Sequence, residues 1–333
     1  KNKINCIYID PPYNAPNSEL SYENNFLHST WLTMIANRIE LGKKMLSKSA
    51  SMVVAIDKHE QERLGLLLED KFPEYDKTCV TVVHNPGGTQ GDNFYYTNEF
   101  AYFLTPADTK SILQRNLNDD EMEDVQLRKW GGDSDRSTGA NVFYPIYVKN
   151  GKVVRLGEVP DINFSPKKQT IKNKDEYEVW PIDSSGDEKK WRYQASSLQP
   201  ILDQVKVKQD GDKIEIFLRK PTTHFKTTWS DTKYVAGDYG TKVLTNMGLD
   251  SGFTFPKSIH TVKDCIFSIV GNKKDALILD FFGGSGTTAH STMMLNKEDG
   301  GNRKFIVTEM ADYFDSIIVP RIKKIAFTFN WKK

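Results

Sequence analysis

The chain has 333 residues, 38% of them hydrophobic and 27% charged, with 45 Lys and Arg against 44 Asp and Glu and a net charge of +1. This is enough for one large domain or two modest ones with a real core, in the ordinary composition range of a soluble globular protein. It contains no apolar run of about eighteen residues and no leader ahead of its first strand pattern, so neither a membrane span nor export is expected.

The first predicted element is a buried strand over Ile4–Ile9, ending at Asp10-Pro11-Pro12-Tyr13. The chain starts at Lys1 and this pattern begins almost at once, so an upstream segment is expected. Trp31–Leu46 carries apolar residues at helical spacing, Ser51–Ile56 reads as a second strand, and His59–Phe72 as a helix with Leu64, Leu67, Leu68 and Phe72 on one side. Strands follow at Cys79–Val83 and Phe100–Leu104, around a Gly-rich stretch, Asn85–Gly91, that reads equally as a mobile loop beside a pocket or as an ordinary hairpin loop. From 106 to 254 the sequence turns polar and short in period, with strand-like Val153–Leu156 and Ile214–Leu218, the latter after a turn at Asp210-Gly211-Asp212. The earlier pattern returns near Phe255, with a strand at Ala276–Phe281, a glycine-rich turn, a helix through Leu295, a strand at Phe305–Thr308 and a helix at Asp312–Phe327. Strands alternating with helices predict a doubly wound, mostly parallel α/β sheet, interrupted by an α+β insertion. The expected divisions are 1–105, 106–254 and 255–333.

Asp10-Pro11-Pro12-Tyr13-Asn14 sits at the carboxyl end of a strand, the edge where open α/β sheets bind ligands. Prolines have no N–H, so this backbone presents carbonyls without competing donors. An aromatic amine is a poor nucleophile because its lone pair is delocalised into the ring. Two acceptors, the Asp10 carboxylate and the Pro11 carbonyl, suit its two hydrogens and the positive charge it gains on attack, while Tyr13 offers a ring to stack on the base. The competing reading is a Pro-rich turn whose tyrosine packs on the core.

The second constellation is Leu279-Asp280-Phe281-Phe282-Gly283-Gly284-Ser285-Gly286-Thr287-Thr288-Ala289, a strand, a turn and a helix start. Glycines let backbone approach a ligand, and Gly284–Ala289 fits the GxGxxA dinucleotide fingerprint. Glu309 ends the next strand, about 20 residues on, where a ribose-binding acid is expected. Nicotinamide enzymes share this pattern. No lysine follows the last glycine, which disfavours a Walker phosphate loop. The three cysteines, Cys6, Cys79 and Cys265, form no CxxC pair, and the six histidines lack ligand spacing. No disulfide or metal is therefore expected, and a reducing cytoplasm fits best.

Together the two motifs resemble the amino-methyltransferase family of DNA-modifying enzymes. The order of catalytic motif, insertion and cofactor motif resembles its beta subgroup, including the modification (Mod) subunits of type III restriction-modification systems. Ser29-Thr30-Trp31-Leu32, Ala55-Ile56-Asp57, Thr97-Asn98-Glu99-Phe100, Phe255-Pro256-Lys257-Ser258, Thr261–Asp264 and Asn296–Lys304 are also similar. The resemblance covers 1–105 and 225–333 well and the middle poorly. It implies S-adenosyl-L-methionine as cofactor, with Asp280, Phe281, Gly283, Gly284, Gly286 and Thr287 binding it, Glu309 on its ribose and Lys257 nearby. Asp10, Pro11, Pro12 and Tyr13 would form the base-binding motif. It further implies double-stranded DNA as substrate, base flipping, a homodimer and a restriction subunit as partner. Gly283 departs from the alanine usual there, a change expected to be sterically tolerated. Aspartate as first residue of the motif points to adenine. A cytosine amine, an RNA substrate, a catalytically silent DNA-binding subunit and a nicotinamide oxidoreductase are the alternatives.

The insertion mixes basic and aromatic residues, among them Trp130, Phe143, Tyr144, Lys167, Lys168, Lys189, Lys190, Trp191, Arg192, Arg219 and Lys220. Such mixtures suit phosphate contacts and base stacking, or form a solvated surface over structural aromatics. Its place between the two motifs makes 106–254 the expected target-recognition region.

Overall fold

A computed structural model describes residues 3–15, 27–91, 93–108, 112–117, 119, 121–249 and 253–331. Two compact units divide the chain, one from 1–114 with 224–333 and the other from 115–223.

The first unit is built on β1 (Ile4–Ile9), α1 (His28–Lys43), β2 (Leu46–Ile56), α2 (Gln61–Lys71), β3 (Tyr75–Val83), β4 (Asn98–Pro106), β5 (Thr228–Trp229), α3 (Ile259–Val270), β6 (Leu277–Asp280), α4 (Thr287–Asp299), β7 (Lys304–Val307) and α5 (Val319–Phe327). Its seven strands form one sheet in the order β5-β3-β4-β2-β1-β6-β7. All neighbours are parallel except β4, which runs antiparallel to β2 and β3. This is the doubly wound, mostly parallel α/β class.

Alternation along the strands sorts side chains to two faces. Cys6, Tyr8, Val53 and Ala55 pack with Val262, Cys265 and Ile266 of α3 and Leu295 of α4. Ile7, Ile9, Met52, Val54 and Ile56 pack instead with Trp31, Ile35 and Ile39 of α1 and Leu64 and Leu68 of α2. With helices covering both faces, the strands read as near-continuous apolar runs.

Several boundaries differ from expectation. Leu46, placed in a helix by its spacing, opens β2 and pairs with Ile4, and a register shift follows between Ile4 and Cys6. The helix expected over Asp312–Phe327 starts as a π turn at Phe314–Ile318 and becomes α-helical at Val319, where Pro320 follows. Helix α3 had no counterpart in the sequence reading. Residues 224–249 belong to the first unit, where β5 pairs with β3.

The second unit is antiparallel. One sheet orders Lys152–Leu156, Ile146–Lys149, Glu176–Val179 and Thr170–Asn173, and another orders Val205–Asp210, Lys213–Arg219 and Asp124–Gln126. Leu127, Tyr144, Ile146, Val148, Trp191, Ile214, Ile216 and Leu218 share its core. Among the described residues, no helix is long and apolar enough to cross a membrane.

Candidate active site

The strand order places chemistry at one edge of the first unit's sheet. From β1 the chain moves to β2 on one side, whereas β6 and β7 lie on the other. The switch point where ligands bind therefore falls between β1 and β6, whose residues pair directly, Cys6 with Ile278 and Ile7 with Leu279. Asp10 follows β1 and Asp280 ends β6, one on each side of it. Because β4 runs antiparallel, its first residues, Asn98 and Glu99, reach this same edge.

The Asp10 turn is fixed from below. Trp31 Nε1 donates to the Pro12 carbonyl at 2.8 Å. Asn14 adopts a left-handed backbone, φ 58°, and its Nδ2 donates to Glu60 Oε1 at 2.7 Å. The Tyr13 hydroxyl donates to Asp10 Oδ1 at 2.6 Å and approaches Glu99 Oε2 at 3.3 Å. Lys257 Nζ lies 2.8 Å from Asp10 Oδ2, 3.2 Å from Glu99 Oε2 and 4.7 Å from the centre of the Tyr13 ring. Burial alone would lower the Lys257 ammonium, but the Asp10 and Glu99 carboxylates outweigh it and hold the group above its ordinary value. Burial, then the charges of Asp10 and Glu99, pushes the Tyr13 hydroxyl well up, so it stays a donor.

The second half is the turn after β6. Asp280 is buried, and its carboxylate accepts from the Phe282 N–H at 2.9 Å and the Thr288 hydroxyl at 2.6 Å. Burial pushes its carboxyl up to about 8 despite those two bonds. Gly284 and Gly286 have φ of 52° and 79°, backbone that L side chains rarely adopt. Gly286 caps α4. The Gly284 N–H donates to Glu309 Oε2 at 2.7 Å, and Glu309 Oε1 accepts from the Met310 and Ala311 N–H groups at 2.7 and 3.0 Å. The acid at the end of β7 is thus tied to the glycine turn. Gly283 is present for lack of space, since a Cβ there would lie 2.5 Å from Val307 Cγ1 and 3.1 Å from the Thr308 carbonyl.

The raised carboxyl of Asp280 has a stability consequence. A folded-state value near 8, against an ordinary 3.8, favours the protonated acid in the fold. Its contribution is fully present below about pH 4 and is lost as pH rises to about 8. Asp280→Asn keeps an acceptor for Phe282 and removes the titration. Thermal unfolding without ligand should show the variant gaining on wild type by at least about 2 °C between pH 5 and pH 8. Parallel curves would show that Asp280 keeps its charge in the fold.

Lys257, expected near the cofactor, is joined to Asp10 and Glu99. The Thr287 hydroxyl is turned inward, accepting from Arg321 Nη1 at 3.1 Å. Arg321 is fully buried and also donates to the Ser285 carbonyl at 2.9 Å and to His290 Nδ1 at 3.1 Å, bracing the turn from beneath. Burial, then the Arg321 charge, drives the His290 imidazole down to about 2, so it remains a neutral acceptor. Glu99 and Arg321 were not picked out as site residues by sequence. Glu99 lay within a block similar to the family, but nothing local signals a buried arginine.

In the second unit Phe143, Tyr144 and Trp191 are core residues, while Lys189 and Lys190 are ion-paired to Asp135 and Asp133. Trp130 is 70% exposed. Among the described residues, no group of three or more His, Cys, Asp or Glu side chains could hold a metal ion.

A DNA methylase family matches residues 4–319. The chain is similar to the EcoPI Mod subunit of a type III restriction-modification enzyme from Escherichia phage P1, 26% identical over 357 residues, which cover 91% of this chain and 53% of that protein. It is also similar to the type II methyltransferase M.KpnI of Klebsiella pneumoniae, 27% identical over 331 residues, covering 92% and 75%. Among solved structures, the PvuII DNA methyltransferase (cytosine-N4-specific) aligns with a TM-score of 0.46 at 12% identity, covering 98% of this chain and 84% of that one. The chain spans about half the length of the type III Mod subunits it matches. With a match running through both motifs and across nearly the whole sequence, the chain belongs to the N6/N4 family of DNA methylases.

Proposed function

We propose that this chain is an S-adenosyl-L-methionine-dependent DNA methyltransferase acting on the exocyclic amine of adenine, and that it serves as the modification subunit of a restriction-modification system. The observation that carries this reading is the pairing of β1 with β6, which sets Asp10-Pro11-Pro12-Tyr13 beside the turn from Asp280 to Thr287 at the switch point of one sheet. The names of the relatives support the DNA substrate and the restriction partner.

The residues fit the cofactor. Gly284 and Gly286, both at positive φ, leave the turn without side chains where a ligand approaches. Glu309, held in place by three backbone N–H groups, offers a carboxylate to ribose hydroxyls. Asp280, Phe281 and Gly283 complete that side, with the Thr287 N–H at the start of α4. When bound, the cofactor supplies a methyl group on a sulfonium. Asp10 and the Pro11 carbonyl then accept the amine's two hydrogens and hold its lone pair towards that methyl. Pro12 fixes the turn, and the Tyr13 ring stacks on the base.

The amine of a paired adenine is out of reach inside a duplex, so the base is flipped out of the stack. Target recognition is assigned to 106–254, with the compact unit 115–223 as its centre. A homodimer and a cytoplasmic location complete the reading.

The test is to treat duplex DNA with the protein and S-adenosyl-L-methionine, digest it to nucleosides and identify the product by mass spectrometry. N6-methyl-2′-deoxyadenosine is expected. N4-methyl-2′-deoxycytidine would move the substrate to cytosine and leave the amine chemistry standing, while unmodified DNA would overturn the reading.

A further inference from the structure

The Asp10 carboxylate does not stand alone. Lys257 and Glu99 share its buried corner, with side chains 11% and 6% exposed, and the lysine bridges the two acids at 2.8 and 3.2 Å. The charges matter because of what the proposed reaction moves. As the amine's lone pair forms the N–C bond, the C–S bond breaks with its electron pair kept by sulfur. The positive charge passes from sulfur to nitrogen, which afterwards releases a proton to solvent. A negative site beside the nitrogen favours that transfer. Asp10 paired with Lys257 alone would be neutral and would supply little of this. With Glu99 on the same ammonium, the three groups carry one net negative charge.

We propose that Glu99 is a positioning residue for methyl transfer. By taking up the charge of Lys257, it leaves Asp10 an effective anion facing the amine. Glu99 also receives the Tyr13 hydroxyl, so it orders both neighbours of Asp10. This inference rests on the methyltransferase reading above and deepens it, since it explains why a lysine sits on the carboxylate that must meet an incipient cation.

Two ligands of the cofactor site read this charge without turnover. S-adenosylhomocysteine is a neutral thioether, and sinefungin carries an ammonium where the methylsulfonium would lie. Their affinity ratio, measured by calorimetry on the full chain, divides out any general damage to the site. Wild type should prefer sinefungin. Glu99→Gln keeps the hydrogen bonds and removes the charge, and should cut that preference at least roughly tenfold, the effect of one unit charge about 12 Å away at an effective dielectric constant near 20, and more if it lies nearer. Glu99→Asp should retain the preference. The double variant Glu99→Gln/Lys257→Met removes one charge of each sign and should recover it to within about threefold of wild type. The methylation rate constant kcat should fall and recover in the same order.

An unchanged ratio in Glu99→Gln overturns the inference, as does a double variant no better than the single one, for then Glu99 is only structural. If wild type binds neither ligand, the cofactor reading itself fails and this inference falls with it. That outcome is distinct from two ligands that bind with an insensitive ratio.

Discussion

Asp10→Asn is expected to lower methyl transfer at least about 100-fold, with affinity for S-adenosylhomocysteine kept within about threefold, because the lost charge acts on the cationic centre of the reaction and not on a neutral thioether. Asparagine is the sharper substitution. Asp10 accepts from the Tyr13 hydroxyl through one oxygen and faces Lys257 through the other. Alanine would strip both neighbours of an acceptor at once and leave a buried ammonium with Glu99 alone, so its effect would combine chemistry with disorder of the site. Asparagine keeps one acceptor in the same place, although its amide nitrogen must face either a hydroxyl or an ammonium. Asp10→Ala should be at least as slow as Asp10→Asn and less stable. Single-turnover transfer to DNA and calorimetry with S-adenosylhomocysteine separate the two quantities. More than about a tenth of the wild-type rate in the asparagine variant, a loss of about 1.4 kcal/mol or less in transition-state stabilisation, would remove Asp10 from the central role.

The sheet was legible in the sequence where burial is strongest. β1 and the second half of β2 are covered on both faces, so they read as near-continuous apolar runs, and the Asp10-Pro11-Pro12-Tyr13 motif at the end of β1 was legible with them. Helix α3 was not legible, because Asp264 and Ser268 interrupt its apolar stripe from the buried side. Both are satisfied by partners that a sequence does not display. Asp264 accepts from Tyr234 at 2.8 Å and pairs with Lys233, and the Ser268 hydroxyl donates back to the Cys265 carbonyl. The same reason hid part of the site. Asp10 and Gly286 announce themselves by local pattern, a strand end and a turn. Glu99 and Arg321 acquire meaning only through distant partners, Lys257 for the one and Ser285, Thr287 and His290 for the other. In the second unit the mixture of lysines and aromatics could not separate a binding surface from a core. Trp191 donates its Nε1 to the Tyr144 carbonyl inside that core, whereas Trp130 stands exposed.

Gly286→Val is expected to weaken cofactor binding by at least about 100-fold, with a loss of stability of about 1–3 kcal/mol from the backbone. The reason differs from simple crowding inside the protein. A Cβ on Gly286 would meet Ile318 Cγ2 at 3.4 Å, an ordinary contact. The obstacle is φ of 79°, which a β-branched residue adopts only under strain. Relief of that strain must rotate the first residue of α4 and carry the turn with it. The Gly286 N–H donates to the Gly283 carbonyl at 2.8 Å, and the Gly284 N–H holds Glu309. The glycine turn and Glu309 would therefore move together. Gly286→Ala carries the same strain with a smaller side chain and should fall between valine and wild type. Calorimetry with S-adenosylhomocysteine, beside thermal unfolding of the ligand-free variants, keeps binding apart from folding. A valine variant that is destabilised yet binds with unchanged affinity would show that the turn only closes the fold, and would take the cofactor away from the end of β6.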